Sequence, residues 1–251
     1  MEQITSRANP LMVHLRKLGA SHSYRNKTGE YLGDSGKLLG EALRWGAELT
    51  AVVCTSGTAL PQLPPDVRAV EVPEGLMAYI SPMETPQGVL FSARRPASRL
   101  PDELTGSRYL ALEGVQDPGN VGTILRTADA FDADGLFLLA GCADLYSPKT
   151  LRASMGAAFR RPVWSCTLEE LRTLLDRAGL PLIGTALRAD TVDARQADLS
   201  RAALLIGSEG RGLSQDALAV CDQTVRIPMS ERCESLNAAV AAAVVLWEGW
   251  R

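Results

Sequence analysis

The sequence lacks the features that would assign it to several common classes of protein. Its two histidines, His14 and His22, lie near the start, and its five cysteines are scattered singly. No zinc-ligand spacing, disulfide framework or Ser-His-Asp order is present, and single cysteines are typical of reduced thiols in a cytosolic protein. The start has no apolar signal core, and the longest apolar run, 238–247, is shorter than the roughly 20 residues that span a bilayer. We expect a cytoplasmic protein with no metal and no membrane segment.

Two phosphate-binding signatures are also missing. The chain contains neither G-x-x-x-x-G-K-[ST] nor G-x-G-x-x-G, and the loop at 113–119, inside a predicted βαβ unit at 109–139, has only scattered glycines. This disfavours a Rossmann-type nucleotide enzyme.

The net charge of −3 argues against a protein that coats nucleic acid by bulk charge, so any RNA binding must come from local patches. Basic side chains cluster twice, and each cluster fits either phosphate contacts or a solvated basic face. The clusters are Arg7, Arg16, Lys17, Arg25 and Lys27, and then Lys149, Arg152, Arg160 and Arg161.

The apolar pattern predicts an α/β chain in two domains. Residues 94–101 carry two prolines and no periodicity, which places a boundary there and gives domains 1–97 and 98–251. Apolar strands that alternate with helices predict a mostly parallel sheet covered on both faces in the second domain. The predicted strands are 49–54, 67–72, 88–93, 109–112, 135–139, 182–185, 203–206 and 223–227. The predicted helices are 10–18, 37–45, 121–131, 168–178 and a last one from 237.

Three blocks in the second domain carry candidate chemistry. The first, 118–126, reads PGNVGTILR, the second, 205–212, reads LIGSEGRG after a buried strand, and the third joins IPM at 227–229 to SLN at 235–237. Glycines in the second block allow a backbone loop to approach a ligand, although each block alone also fits an ordinary turn or core segment. Together the blocks predict one pocket at the ends of neighbouring strands.

In this order the three blocks resemble the SpoU/TrmH branch of the SPOUT RNA methyltransferases. Residues 4–10, with Leu18, Arg25 and Gly29, also resemble the start of that family's L30e-like substrate domain. The resemblance implies an L30e-like RNA-binding domain over 1–97 and a SPOUT methyltransferase domain over 98–251, with a C-terminal trefoil knot. It also implies a homodimer that binds S-adenosyl-L-methionine and methylates a ribose 2′-hydroxyl, in ribosomal RNA before transfer RNA.

The resemblance assigns roles to individual residues. The predicted catalytic set is Arg126, Asn120, Glu209, Ser235 and Asn237. The predicted cofactor-binding set is Ile206, Gly207, Glu209, Gly210, Ile227, Pro228, Met229 and Leu236. Arg126 matches an arginine that is treated as catalytic in the family, in some accounts as the general base. Because a guanidinium is effectively never neutral in proteins, we expect Arg126 to bind the target phosphate and stabilise charge that develops on the 2′-oxygen.

Some of these residues also have local explanations. Asn120 follows a turn and is a candidate N-cap of the helix after it, and Ser235 is placed to cap the last helix while Asn237 faces the pocket. Glu209 either holds Arg126 or orders the glycine loop. A non-catalytic protein that binds structured RNA is the alternative function, and the joint presence of the five polar residues argues against it.

Overall fold

The computed structural model describes residues 1–97, 99–188, 190–230 and 232–250. The chain forms two compact units, the first of which combines residues 1–97 with 144–159, while the rest of the chain forms the second. A single cut therefore does not separate the units, because one segment from the middle of the chain packs with the N-terminal residues. The α/β class and the mostly parallel sheet predicted from the sequence are confirmed.

Strands and helices alternate along most of the chain. The strands are β1 Glu2–Gln3, β2 Glu30–Gly33, β3 Leu49–Thr55, β4 Arg68–Val72, β5 Val89–Arg94, β6 Arg108–Leu112, β7 Gly135–Leu138, β8 Val163–Ser165, β9 Leu182–Thr185, β10 Val192–Asp193, β11 Ala202–Ile206 and β12 Gln223–Arg226. The helices are α1 Pro10–Ala20, α2 His22–Thr28, α3 Gly36–Arg44, α4 Glu74–Ile80, α5 Pro118–Ala130, α6 Pro148–Ser154, α7 Ala157–Arg160, α8 Leu168–Ala178, α9 Gln215–Val220 and α10 Ala238–Trp250.

The first unit is built on a five-stranded mixed sheet in the order β1-β4-β3-β5-β2. Strands β1, β4 and β3 pair in parallel, and β5 runs antiparallel to β3 and β2. Helix α1 shows why these helices form where they do. Asn9 accepts a hydrogen bond from the Leu11 N–H at 2.9 Å, Pro10 fills the first turn, and Met12, Leu15 and Leu18 form a fully buried stripe.

A buried ion-pair cluster joins segment 144–159 to the rest of the first unit. The Arg25 guanidinium, only 4% exposed, donates to Asp144 Oδ2 at 2.8 Å and to the Leu18 carbonyl at 2.6 Å. The completely buried Asp34 carboxylate accepts a hydrogen bond from Arg152. Buried charges need such partners because an unpaired charge away from water is costly. The cluster consists of Arg25, Asp34, Asp144 and Arg152.

Aromatic packing reinforces the same connection. The ring of Tyr31 stacks on Tyr146 at 5.1 Å between centroids and lies parallel to Phe159 at 6.3 Å. Leu151 belongs to the apolar cluster formed by α3 and the sheet. Segment 144–159 is therefore part of the core of the first unit.

The two predicted basic clusters turn out to contain several structural ion pairs. Arg25 and Arg152 are in the buried ion-pair cluster, and Arg160 and Arg161 both hold Asp129 in the second unit, at 2.7 and 2.8 Å. These four arginines therefore lie in ion pairs instead of a free basic face. By contrast, Arg7 and Arg16 are exposed and lie over the half-buried Tyr79 ring, at 4.6 and 4.3 Å from its centroid.

The second unit is built on a seven-stranded sheet in the order β10-β12-β9-β11-β6-β7-β8, in which every pairing is parallel. The central strand β11 is buried along its whole length, as continuous apolar strands of covered parallel sheets are. One face packs against α8 and α9, and α10 packs against α5 and β11. Among the residues described, no helix is long and apolar enough to cross a membrane.

Candidate active site

A cavity of about 630 Å³ lies in the second unit at the carboxyl ends of β9, β11 and β12. In open α/β sheets this edge is where ligands bind, because loops from neighbouring strands converge there. Seven of the eight residues predicted to bind cofactor line it, and Pro228 is the exception. The seven are Ile206, Gly207, Glu209, Gly210, Ile227, Met229 and Leu236, and the predicted catalytic residue Ser235 lines it as well.

The glycine loop after β11 folds back on itself to form one wall. The Ser208 and Gly212 backbones exchange two hydrogen bonds, of 3.1 and 2.9 Å. A Cβ on Gly207 would lie 2.3 Å from the Gly212 carbonyl carbon, and Gly212 has a φ of +65°. Both positions need glycine for the backbone alone. Gly210 has neither constraint, since its missing Cβ faces open space.

Glu113 fixes the far end of this loop and was missed in the sequence analysis. Its carboxylate accepts hydrogen bonds from the Ser214 N–H at 2.8 Å and the Ser214 hydroxyl at 2.7 Å. Its own N–H donates to the Ile206 carbonyl at 2.9 Å. The available signal was a carboxylate directly after β6, the strand that pairs with β11.

Three polar residues from the three sequence blocks form a hydrogen-bonded chain beside the cavity, which we call the amide chain. Asn237 Nδ2 donates to Asn120 Oδ1 at 3.1 Å, and Asn120 Nδ2 donates to Glu209 Oε1. Asn120 and Asn237 also line a shallow groove along α5 and α10. The structure thus brings Asn120, Glu209 and Asn237 together, whereas Glu209 makes no contact that holds Arg126.

The helix caps differ from the sequence prediction. Asp117, not Asn120, caps α5, and its carboxylate accepts from the Gly119 and Asn120 N–H groups. Asn237, not Ser235, caps α10, since its Oδ1 accepts from Ala239 N at 2.9 Å and Val240 N at 3.3 Å. Asn237 therefore uses one end of its amide for the helix and the other for the amide chain.

Arg126 lies apart from these groups in the single chain. It is exposed on α5, and six helical residues turn it by roughly 240° from Asn120 about the helix axis. Across the described ranges its guanidinium forms no hydrogen bond or ion pair, and it does not line the cavity. Its charge is accordingly available to a ligand or a partner chain.

Three other arginines, not predicted, line the cavity near its mouth. Arg188 follows β9 and pairs with Asp190 at 3.0 Å, Arg211 lies in the glycine loop, and Arg226 ends β12. Arg226 is the last residue of β12, whereas Arg188 and Arg211 lie three and five residues after the ends of β9 and β11. The signal available in the sequence was a basic residue at or shortly after the end of a parallel strand. The part of the chain that the structure describes contains no group of three or more His, Cys, Asp or Glu side chains suited to a metal ion.

Comparisons with known proteins find similar RNA methyltransferases. A 23S rRNA (guanosine(2553)-2′-O)-methyltransferase, RlmP of Bacillus subtilis, is 32% identical over 98% of this chain and 98% of its own length. A 23S rRNA (uridine(2479)-2′-O)-methyltransferase of Streptomyces viridochromogenes is 34% identical over 93% of this chain and 79% of its own length.

Among solved structures, an AdoMet-bound rRNA methyltransferase from Sinorhizobium meliloti superimposes with a TM-score of 0.87. It is 32% identical, and the match covers 99% of this chain and 97% of that one. The SpoU rRNA methylase family profile matches residues 107–247, which is more than half of the chain and includes all three sequence blocks. The sequence prediction is confirmed, and the chain belongs to the SpoU rRNA methylase family.

Proposed function

We propose that this protein transfers the methyl group of S-adenosyl-L-methionine to a ribose 2′-hydroxyl of ribosomal RNA. The predicted enzyme class and cofactor are confirmed by membership of the SpoU family and by similarity to an AdoMet-bound rRNA methyltransferase. The observation that carries the proposal is the cavity at the strand ends with the amide chain at its edge.

The residues of the cavity fit this cofactor. A volume of about 630 Å³ lies within the range of small-molecule sites. Ile206, Ile227, Met229 and Leu236 offer apolar walls for the adenine ring, and backbone groups of the glycine loop offer hydrogen bonds to the adenine edge and ribose. Open space at Gly210 leaves room for close approach of a ligand.

When bound, the cofactor supplies a methyl group on a positively charged sulfur, so that the protein's main tasks are binding and orientation. The loop walls hold the cofactor, and the amide chain fixes the residues at the edge of the cavity. Ser235 and Asn237 are placed to orient the ribose. Correct alignment of two bound reactants supplies a large part of the acceleration in such transfers.

We also propose a homodimer in which Arg126 of one protomer completes the site of its partner. Exposed apolar side chains on α10 support this, since Val240, Val244, Trp247 and Trp250 are between 38% and 49% exposed. Isolated proteins rarely leave so many large apolar groups on one helix. In the dimer, the Arg126 guanidinium binds the target phosphate and stabilises charge on the 2′-oxygen.

The first unit acts, in this proposal, as an L30e-like domain that binds structured RNA. Arg16 and Arg7 on Tyr79, with Lys17 and Lys27 on neighbouring helix surfaces, provide exposed positive charge for phosphates. We further propose a trefoil knot in the C-terminal part, as the family resemblance implies, and a cytoplasmic location. The target is a loop nucleotide, because a 2′-hydroxyl in a regular helix is hard to align with a buried methyl donor.

The test is transfer of labelled methyl groups from S-adenosyl-L-methionine to unmodified ribosomal and transfer RNA, followed by digestion and identification of the nucleoside. We expect a 2′-O-methyl nucleoside in ribosomal RNA. Arg126→Ala should lower the rate by about 100- to 1,000-fold, as loss of a group that stabilises transition-state charge does, with cofactor affinity unchanged. Arg126→Lys should also lose most activity, because lysine lacks the planar fork. A methylated base or a transfer RNA product would overturn the substrate assignment, and full activity of either variant would overturn the role of Arg126.

A further inference from the structure

The amide chain has a fixed direction. The Ala239 and Val240 N–H groups can only donate, so the atom of Asn237 that faces them must be the oxygen. The amide nitrogen of Asn237 then faces Asn120, whose own nitrogen must face Glu209. Since an amide N–H can only donate, the Glu209 carboxyl oxygen at the end of the chain accepts.

This arrangement orients the Glu209 carboxylate without neutralising it. Both amides are uncharged, and across the described ranges no arginine or lysine forms an ion pair with Glu209. Glu209 is exposed, and Oε1 is the oxygen that Asn120 occupies, so Oε2 has no hydrogen-bond donor in the described part of the chain. The second oxygen is therefore free to accept a proton from a bound group.

Its position suits such a group. Glu209 lines the cavity, while Asn120 and Asn237, which hold it, line the groove along α5 and α10. The carboxylate is exposed and consequently lies at the edge of the proposed cofactor cavity, beside the groove that the proposed second copy would cover. Glu234 is the other described carboxylate that lines the cavity, and no hydrogen bond ties it to Asn120 or Asn237. The predicted arginine stays protonated, and serine and asparagine are very weak bases.

We propose that Glu209 takes the proton of the ribose 2′-hydroxyl during methyl transfer, an inference that rests on the proposed function. The 2′-oxygen uses a lone pair to form the new bond to the methyl carbon, the sulfur–methyl bond breaks with its electron pair left on sulfur, and the hydroxyl proton passes to Glu209 Oε2. An ordinary carboxylate is basic enough, since an ether oxygen that still carried this proton would be strongly acidic. Arg126 stabilises the negative charge that develops on the same oxygen.

The experiment compares Glu209→Gln, Glu209→Asp and the exposed control Glu103→Gln with the wild type. Single-turnover methyl transfer is measured against pH with saturating ribosomal RNA, and cofactor binding is measured by calorimetry. Glu209→Gln should lose at least about 100-fold in rate, the usual share of a general base, while binding cofactor normally. Glu209→Asp should recover part of the rate, and Glu103→Gln should match the wild type.

A second readout is the shape of the pH–rate profile. If Glu209 takes the proton, Glu209→Gln should change this shape relative to the wild type as well as lower the rate. A merely structural role for Glu209 would lower the rate and leave the shape of the profile unchanged.

Three results would overturn the inference. Retention of more than a third of the rate by Glu209→Gln, with an unchanged pH profile, would show that another group takes the proton. Loss of cofactor binding in this variant would make Glu209 a cofactor ligand instead. A wild-type enzyme that transfers no methyl group to any RNA would refute the proposed function as well, which separates that failure from the other two.

Discussion

Two groups of polar side chains, one in each unit, tie together distant parts of the chain in opposite ways. The buried ion-pair cluster of the first unit joins Arg25 to Asp144 and Asp34 to Arg152, more than a hundred positions apart in sequence. The amide chain of the second unit joins Asn237, Asn120 and Glu209 over similar separations. In the first, both carboxylates are largely buried and each faces a guanidinium. The second lies at the surface and ends on a carboxylate that has no cation in the described residues.

The difference separates structural from chemical use of the same residue types. Away from water a carboxylate must be paired with a cation or protonated. Such a carboxylate stabilises the fold and is not available to react with a ligand. At the edge of a cavity a carboxylate can stay unpaired at little cost and can be aimed by neutral amides. We therefore expect changes in the ion-pair cluster to alter stability, and changes in the amide chain to alter methyl transfer.

The largest expected effect on stability comes from Arg152→Leu. Loss of the guanidinium leaves the Asp34 carboxylate buried without its cation, which should lower the free energy of unfolding by about 3 kcal/mol. Urea denaturation measures this change. The double variant Asp34→Leu/Arg152→Leu should recover part of the loss, because no unpaired charge remains. Arg99→Leu, in the exposed pair with Asp102, is the control and should denature with the wild type.

The same variant gives a test by pH. Burial raises the pKa of Asp34, and Arg152 opposes this only in part. A carboxyl whose folded pKa is raised favours folding below its unfolded pKa, and that contribution is lost as the pH rises through the folded value. Removing Arg152 should raise the pKa further, so the destabilisation should be smaller at about pH 4 than at about pH 7. An equal loss at both pH values would show that the charge of Asp34 is not the cause.

The second largest effect concerns the exposed side of α10, which lies beside the amide chain. Trp247→Glu places a charge among apolar groups that we propose to be covered by a second copy, at a cost of about 2 kcal/mol or more in association. Sedimentation should then report a monomer where the wild type is a dimer. Trp45→Glu is the control, since Trp45 in the first unit is 48% exposed and Trp247 is 49% exposed. An unchanged dimer of Trp247→Glu would place the interface elsewhere.

Much of the second unit could be predicted because most of its central strands are continuous apolar runs between turn residues. Strands β6, β7, β9, β11 and β12 begin and end within about a residue of the predicted ranges. Segment 144–159 could not be assigned, since a short helix carries no local sign of which sheet it will cover. Only the buried partners of Asp144 and Arg152, more than a hundred residues away in sequence, decide this.

The sequence predicted many of the residues that lie at the candidate site, but not the hydrogen bonds that connect them. Glycines and polar residues at strand ends identified one wall of the cavity and the amide chain. The direction of the hydrogen bonds was not predictable. The N-cap of α5 is Asp117 and not Asn120, because Pro118 occupies the first turn of the helix, a position that proline prefers. Glu113 and the three cavity arginines each lie at or shortly after the end of a single strand, and one charged residue at such a position is too common to identify a site by itself.

The third largest effect concerns Asn237, which caps α10 and also donates a hydrogen bond in the amide chain. Asn237→Ala removes the cap of α10 and one link of the amide chain, so it should cost about 1 kcal/mol of stability as well as activity. Asn237→Asp keeps an oxygen for the cap but cannot donate to Asn120 Oδ1. It should restore thermal stability while methyl transfer stays low. Recovery of both by Asn237→Asp would mean that the link to Asn120 has no part in catalysis.

The smallest expected effect concerns the reactivity of three thiols in the second unit. The experiment uses the wild-type protein, so stability is unchanged. Burial raises the pKa of Cys166 to about 12 and that of Cys221 to about 11, whereas Cys233 is exposed between the two parts of the third sequence block. Because the thiolate is the reactive form, iodoacetamide at about pH 8 should label Cys233 first in the native protein, and mass spectrometry locates the adduct. Labelling of Cys166 and Cys221 should accelerate as the pH rises, about tenfold per pH unit below the pKa of each thiol. Equal labelling rates at all three thiols would show that Cys166 and Cys221 are as accessible to the reagent as Cys233. Burial in the second unit would then not protect a reactive group.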